Sequence, residues 1–257
     1  MTKIICVTSM NKPYYDHIGK LMIESWSKFW PDDCELIVYQ EGFEIEDFDR
    51  VNGVSWEDHC YQDWLNFIHR AENPESKRFA KKGYTMISAM KNIECDLLIW
   101  CDADTLTYQK FPKEKILSIL PDNKLIAFFD TYYQHNKPYI EEEYINPNRT
   151  NSAIESGFVV INKKHKYFNN YLNEYKKLYN TPTPLPEVGP WFDGNVCGAA
   201  AANFRHHVED LSKLRTTDKS QTPINKSWIS KYCYHAKAEQ KNKLDFESIR
   251  KKLGINT

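Results

Sequence analysis

Two aspartates one residue apart, Asp102 and Asp104, end an apolar run in the stretch LLIWCDADTL (97–106). Ionised carboxylates are costly to take out of water unless something compensates them. The large apolar residues before Cys101 predict a buried strand, and Thr105 and Leu106 lead back into structure. Either the strand ends at solvent or the pair holds a cation. Ligands of open α/β sheets gather outside the carboxyl ends of strands. Carboxylates placed there suit Mg²⁺ or Mn²⁺, hard cations that prefer oxygen and bridge to phosphate oxygens. Asp47 and Asp49 repeat the spacing, but in a charge-rich stretch with no strand ahead of them.

Other chemistries find little support. His59, Cys60, His69 and Cys6 lack the spacing of a zinc site, and the seven cysteines form no CxxC. An odd number without that motif predicts reduced thiols in a cytoplasm rather than a disulfide framework. GxxxxGK[ST], GxGxxG and GxSxG are all absent, which argues against a P-loop enzyme, a dinucleotide-binding oxidoreductase and an α/β-hydrolase. No run approaches about 18 apolar residues, so no membrane-spanning helix is expected, and the N-terminus lacks the h-region of a signal peptide. Net charge is −1, but unevenly spread: residues 1–202 carry 22 basic and 29 acidic side chains, and residues 203–257 carry 12 and 6. A basic C-terminal fifth predicts either an anionic ligand nearby or a solvated lysine-rich tail. The 16 Tyr, 13 Phe and 7 Trp suit a core, and equally the faces of sugars and bases.

The elements that must position these groups follow from periodicity. KIICVT (3–8) and CELIVYQ (34–40) read as buried strands around an amphipathic helix over 14–30 that Pro31 stops. This β-α-β opening is the unit of a parallel sheet. Residues 41–76 read as an irregular, acidic and aromatic excursion of short helices or loops. A helix over 78–93 precedes the strand 96–101; 124–130 and 153–162 are further strands, with a polar loop over 131–152 between them. Residues 165–179 form a helix, 181–190 a proline-ordered loop, and FDGNVCGAAAANF a helix built with small residues. Basic loops, an apolar spot at 228–234 and a last helix complete one α/β domain without a linker.

Taken in order, these pieces resemble a GT-A-fold glycosyltransferase, the nucleotide-diphospho-sugar transferase class. The resemblance rests on the β-α-β opening with Val7, Thr8 and Ser9, the basic helix before the DxD strand, and ESGFVVIN (155–162). YCYHAK (232–237) is similar to the late His-containing segment of galactinol/glycogenin-type retaining transferases, although the Gly and Pro-Trp of that motif are absent. The resemblance implies a mostly parallel, Rossmann-like sheet flanked by helices. Residues 1–110 would be its nucleotide-binding half, and 111–257 its acceptor half, with the C-terminal segment folded over the nucleotide site.

It also implies roles. Thr8 and Ser9 would lie near the base or ribose, with Tyr14 or Tyr15 available for stacking. Arg78 and Lys82 would reach sugar or phosphate, unless they belong to a solvated helix face. Asp102 would face ribose or metal, Asp104 would bind the metal directly, His235 would be the third ligand, and Lys237 would meet the diphosphate. Glu155 would hold an acceptor hydroxyl or pair with a lysine. Asp193 would cap its helix or bind sugar or acceptor; these two carboxylates are the candidate bases of an inverting reaction, while the His–Lys pair leans towards retention. The expected cofactor is Mn²⁺ or Mg²⁺, and the expected donor a UDP-sugar. The acceptor would be a glycan or small molecule. A viral-type DNA glycosyltransferase acting on hydroxymethylated bases in a host cytoplasm is the alternative that the basic C-terminus suggests. A non-catalytic sugar- or nucleotide-binding protein is the alternative of another class. A nucleotidyltransferase would need a glycine- and basic-rich phosphate loop that VTSMNKPYY does not supply.

Overall fold

A computed structural model describes residues 2–130, 154–181, 191–214, 223–236 and 244–255. The stretch expected as a loop over 131–152, nearly all of 181–190, and Lys237 lie outside the described residues. The chain opens as expected: β1 (Ile4–Asn11), β2 (Cys34–Glu41) and β4 (Leu97–Cys101) are parallel neighbours. Each carries a continuous apolar run because both faces of the sheet are covered. Alternate residues serve opposite sides. Ile5, Val7, Leu98 and Trp100 join a core under α3, α4, α6 and α7, defined below. Ile4, Cys6, Ile99 and Cys101 join a second core under the helix after β1.

That helix begins earlier than its periodicity suggests and is not uniform. An α-turn, α1 (Lys12–Tyr14), capped by Asn11, passes through a π-helical stretch, Tyr15–Gly19, into α2 (Lys20–Phe29). The expectation of an irregular 41–76 needs correction. It contains β3 (Val51–Ser55), which adds in parallel to the sheet edge, and a full helix, α3 (Trp56–Ile68). Trp56, Cys60 and Phe67 form its buried stripe, and Ser55 caps it by accepting the Asp58 N–H. α4 (Pro74–Asn92) starts at Asn73, whose side chain accepts the Glu75 N–H, with Pro74 at the first helical position.

Beyond β4 the direction changes. β7 (Ile154–Asn162) is antiparallel to β4, β6 (Ile126–Asp130) antiparallel to β7, and β8 (Val208–Asp210) parallel to β6. The order β3-β2-β1-β4-β7-β6-β8 is therefore mostly parallel, as expected. The antiparallel β7 brings its start, rather than its end, to the carboxyl edge of β4. A separate two-stranded ribbon pairs β5 (Thr105–Thr107) with β9 (Cys233–His235). Helices α5 (Lys113–Leu117), α6 (Phe168–Tyr179), α7 (Asp193–Ala202) and α8 (Phe246–Leu253) complete the layers. No described helix is long and apolar enough to cross a membrane.

The packing of α4 on α6 makes a first prediction. A Cβ on Gly83 would stand 2.1 Å from Tyr179 Oη and 2.3 Å from its Cζ. Tyr179 is fully buried and has nowhere to withdraw. In an exposed helix Ala is better than Gly by about 1 kcal/mol. Here Gly83→Ala is expected to cost about 1–3 kcal/mol through overpacking, read as a lower urea midpoint. An unchanged or higher midpoint would mean that α6 can slide off α4.

Candidate metal centre

The residues after β4 form a tight turn in which the Asp102 carbonyl accepts the Thr105 N–H at 2.9 Å. Such an i to i+3 bond reverses the chain within four residues. The intervening Ala103 is buried, and the two carboxylates converge. Asp102 is further tied to the sheet, donating its N–H to the Gly157 carbonyl at the start of β7.

His235 reaches this turn from 130 residues away because β9 pairs with β5, setting it opposite Thr105. Two clamps fix its main chain. The Ala236 N–H donates to the Asp104 carbonyl. The buried Asn225 side chain accepts the His235 N–H at 2.8 Å and donates to its carbonyl at 2.9 Å. The imidazole then lies with Nε2 3.1 Å from Asp104 Oδ1 and 3.7 Å from Asp102 Oδ2. Among the described residues, Nδ1 is buried and lacks a hydrogen-bond partner.

One atom each from Asp102, Asp104 and His235 lies within 4.8 Å of the others. Two carboxylate oxygens and an imidazole nitrogen, mostly withdrawn from water, form a donor set that suits a divalent cation such as Mn²⁺ or Mg²⁺. Gly157 makes room for the imidazole: a Cβ there would stand 2.6 Å from His235 Cε1. The residues present therefore fit a metal, and they would hold it as two aspartates and one histidine.

A lysine stands beside the acidic turn. Lys82, on α4, donates to Asp102 Oδ1 at 2.6 Å and to the Ser156 carbonyl at 2.7 Å, and pairs with Asp193 Oδ2 at 3.0 Å. Its ammonium also lies over the Trp100 ring, whose Nε1 donates to the same Asp102 oxygen. Burial would release its proton, but the charges of Asp102 and Asp193 outweigh that and raise its pKa. Asp193 is buried too. Desolvation alone would push its carboxyl up; Lys82, the Ser156 hydroxyl at 2.5 Å and the Gly194 N–H overcome it and hold the pKa below the ordinary value.

The structure thus brings Asp102, Asp104, His235, Lys82 and Asp193 together. Glu155 adjoins them, buried, with Oε1 accepting the Gly157 N–H. Asp193 is not the N-cap: Phe192 holds that place without a side-chain bond, and Asp193 is the first helical residue, turned to Lys82. Arg78, one turn before Lys82 on α4, is not brought in. It is exposed, pairs with Glu75 and covers the Phe79 ring. Thr8 is fully buried at the carboxyl end of β1 and Ser9 is half-buried. Tyr14 spends its hydroxyl on Asp104 Oδ2, at 2.8 Å, and Tyr15 packs against Phe43. Sequence reasoning missed that hydroxyl, Trp100 Nε1, Ser156 and Asn225. The Tyr14–Asp104 bond has no linear signature, since Tyr14 lies 90 residues before its partner.

A pH dependence follows. Burial pushes the His235 imidazolium down, but its bond to Asp104 and the charges of Asp104, Asp102 and Glu155 more than reverse this, raising its pKa. A raised folded value stabilises the metal-free protein fully below the unfolded pKa of about 6.5, and that contribution is lost as pH rises through the folded value. A cation must displace the same proton. The gain in unfolding temperature on adding Mn²⁺ is therefore expected to grow as pH rises above about 6.5. His235→Gln should flatten both trends; a metal-induced gain independent of pH would remove His235 from the ligands.

No protein-family description matches the sequence, and no curated protein does. Solved structures do. The fold is similar to the galactosyltransferase LgtC, crystallised with donor and acceptor sugar analogs: 13% identity, 98% of this chain and 96% of that one, TM-score 0.58. It is also similar to mouse xyloside xylosyltransferase 1, at 10% identity over 81% of this chain and 84% of that one, TM-score 0.51. The bifunctional glycosyltransferase WbbM matches 98% of this chain at 12% identity and TM-score 0.53, but this chain spans only 45% of its length. The chain has the GT-A fold.

Proposed function

We propose that this chain is a metal-dependent glycosyltransferase that takes a sugar from a nucleoside-diphosphate donor, a UDP-sugar first of all, and passes it to an acceptor hydroxyl. The observation that carries the reading is the Asp102–Asp104–His235 cluster at the carboxyl edge of a GT-A sheet. A bound divalent cation supplies Lewis acidity and neutralises charge on a leaving diphosphate.

The chain's own residues would do the rest. Asp102, Asp104 and His235 hold the cation, and Tyr14 fixes the rotation of the Asp104 carboxylate. Thr8 and Ser9 border the nucleoside side, at the carboxyl end of β1. Lys82 offers a permanent positive charge beside the metal site, where a low dielectric strengthens it. Asp193 offers a sugar hydroxyl a carboxylate that stays ionised. A carboxylate held acidic by a lysine, a hydroxyl and a helix N–H is a poor general base, because efficient bases titrate near the working pH. That supports a retaining reaction over an inverting one with Asp193 as base. Lys237 remains an expected diphosphate partner, and the resemblance to galactinol/glycogenin-type transferases rests on residues 232–237 alone.

The acceptor we favour is a glycan or small molecule. Of the basic residues expected to track DNA phosphates, Arg250 is paired with Glu24 and Lys226 is buried, while Lys231, Lys251 and Lys252 are exposed. Arg215, Lys219, Lys241 and Lys243 lie outside the described residues.

The test is UDP release from a panel of UDP-sugars, with Mn²⁺ or with EDTA. Each reaction is run alone, with glycan acceptors, and with hydroxymethylated DNA. Metal-dependent release stimulated by a sugar acceptor, with the anomeric configuration kept in the product's NMR spectrum, is the expected result. A folded protein that releases nothing from any donor would leave a binding protein in its place; stimulation by DNA alone would exchange the acceptor.

A further inference from the structure

The imidazole of His235 has two ends, and only one is accounted for. Nε2 faces Asp104 and Asp102. Its closest approach is 3.1 Å, to Asp104 Oδ1, and Nδ1 is buried without a partner among the described residues. Nε2 cannot donate a hydrogen and hold a cation at once. In a ligating neutral imidazole the hydrogen sits on the other nitrogen, and which nitrogen carries it is set by the bond that nitrogen makes. Metal-ligating histidines almost always give that second N–H to a carboxylate, carbonyl or water.

The carboxylate that borders Nδ1 across Gly157 is that of Glu155. Glu155 Oε1 and His235 Nδ1 each stand 3.1 Å from the point a Cβ on Gly157 would fill, so both border the same small space. Glu155 is 4% exposed and His235 1%, which excludes bulk water from between them. Its Oε1 already takes the Gly157 N–H, which pins the carboxylate over the glycine. Each of its two oxygens can accept more than one bond. The sequence Glu155-Ser-Gly157 thus supplies both the carboxylate and the gap through which it meets the ring.

We infer that Glu155 is a positioning residue for the metal centre: it accepts the Nδ1 hydrogen of His235 and so presents Nε2 as a ligand. The inference rests on the metal reading above, and it takes Glu155 away from the acceptor. Asp193, the partner of Lys82, is then left as the carboxylate that meets the sugar. Within the ESG stretch, Ser156 holds Asp193 while Glu155 holds His235, so one strand start serves both sides of the centre.

The experiment measures Mn²⁺ affinity by electron paramagnetic resonance in wild type, Glu155→Ala, Glu155→Gln and Asp104→Asn. It adds the imidazole ¹H–¹⁵N spectrum of the diamagnetic Mg²⁺ form. Glu155→Ala is expected to weaken Mn²⁺ about 10–100-fold, the usual scale for losing such a partner, with the metal-free protein still folded. Glu155→Gln keeps an acceptor oxygen without basicity and should recover most of that affinity, whereas a role as base would not be rescued. In wild type the His235 Nδ1–H should appear as a slowly exchanging downfield signal, moving upfield in Glu155→Gln. Should Glu155→Ala not fold, that shift alone decides: an unchanged signal overturns the inference. So does wild-type Mn²⁺ affinity in folded Glu155→Ala, provided Asp104→Asn has lost it, and the metal reading then stands. If wild type itself binds no Mn²⁺, the metal reading falls and this one with it.

Discussion

Replacing Asp104 by Asn is expected to end metal-dependent turnover while leaving the fold in place. The carboxylate is 4% exposed and sits between two partners, His235 on Oδ1 and the Tyr14 hydroxyl on Oδ2. Asn keeps the shape and can still accept from Tyr14, but it brings no charge to a cation. Losing a single preorganised electrostatic group at a developing charge costs about 10²–10³ in rate, and a direct ligand should cost at least that. Stability should move little in the metal-free state. The variant gives up the bond to His235, worth about 1 kcal/mol, yet relieves crowding among Asp102, Asp104 and Glu155, all of which bear on one histidine. The checks are UDP release and unfolding temperature, each with Mn²⁺ and with EDTA. A variant that Mn²⁺ still stabilises as strongly as wild type would remove Asp104 from the centre.

Lys82→Met should instead be felt first as instability. Lys82 is the cation shared by Asp102 and Asp193, whose side chains are 28% and 10% exposed. Met fills much of the volume but strands Asp193 in a buried place. Removing one partner of a buried pair costs about 3–5 kcal/mol, because the remaining charge is uncompensated. For a chain of this size each kcal/mol lowers the unfolding temperature by roughly 2–4 °C. The sign with pH is informative. Asp193 now sits below its ordinary pKa because of Lys82, Ser156 and Gly194 against the cost of burial. Without the lysine, burial wins and the folded value rises above the unfolded one. The penalty is then full at neutral pH and shrinks as pH falls through the raised value. Adding Asp193→Asn should restore part of the loss at neutral pH, since the two changes share one interaction. A single variant that melts within about 1 °C of wild type, or a double variant no better than the single, would show that Lys82 and Asp193 are not a coupled pair.

Much of this centre was legible because its parts carry local signatures. LLIWCDADTL announces a strand and two oxygens, and the continuous apolar runs of β1, β2 and β4 announce a sheet covered on both faces. His235 was legible only through its neighbours' resemblance to a late metal-binding segment. What could not be read is what three-dimensional pairing decides. Lys82, Ser156 and Asp193 come from α4, β7 and α7, and nothing in their spacing says that one ammonium ties them. Arg78 and Lys82 are equivalent on paper; one helical turn separates an exposed guanidinium from a buried ammonium. The helix α3 was readable at its full length, where only short helices or loops were expected. Trp56, Cys60 and Phe67 have helical spacing, and Ser55 with Asp58 is a capping pattern. Its acidic exposed face hid the stripe.

The β5–β9 ribbon sets His235 opposite Thr105, the residue after Asp104, so the candidate metal site closes only when residue 235 has joined residue 105. Most of the large sheet is complete by Asn162. During synthesis, therefore, a ribosome can carry a chain whose sheet strands are nearly all made but whose cation would have two carboxylates and no imidazole. The third ligand arrives with β9, a segment that adds only three residues of strand. A protein clipped or stalled before residue 235 would lack that ligand, and metal affinity would report the loss.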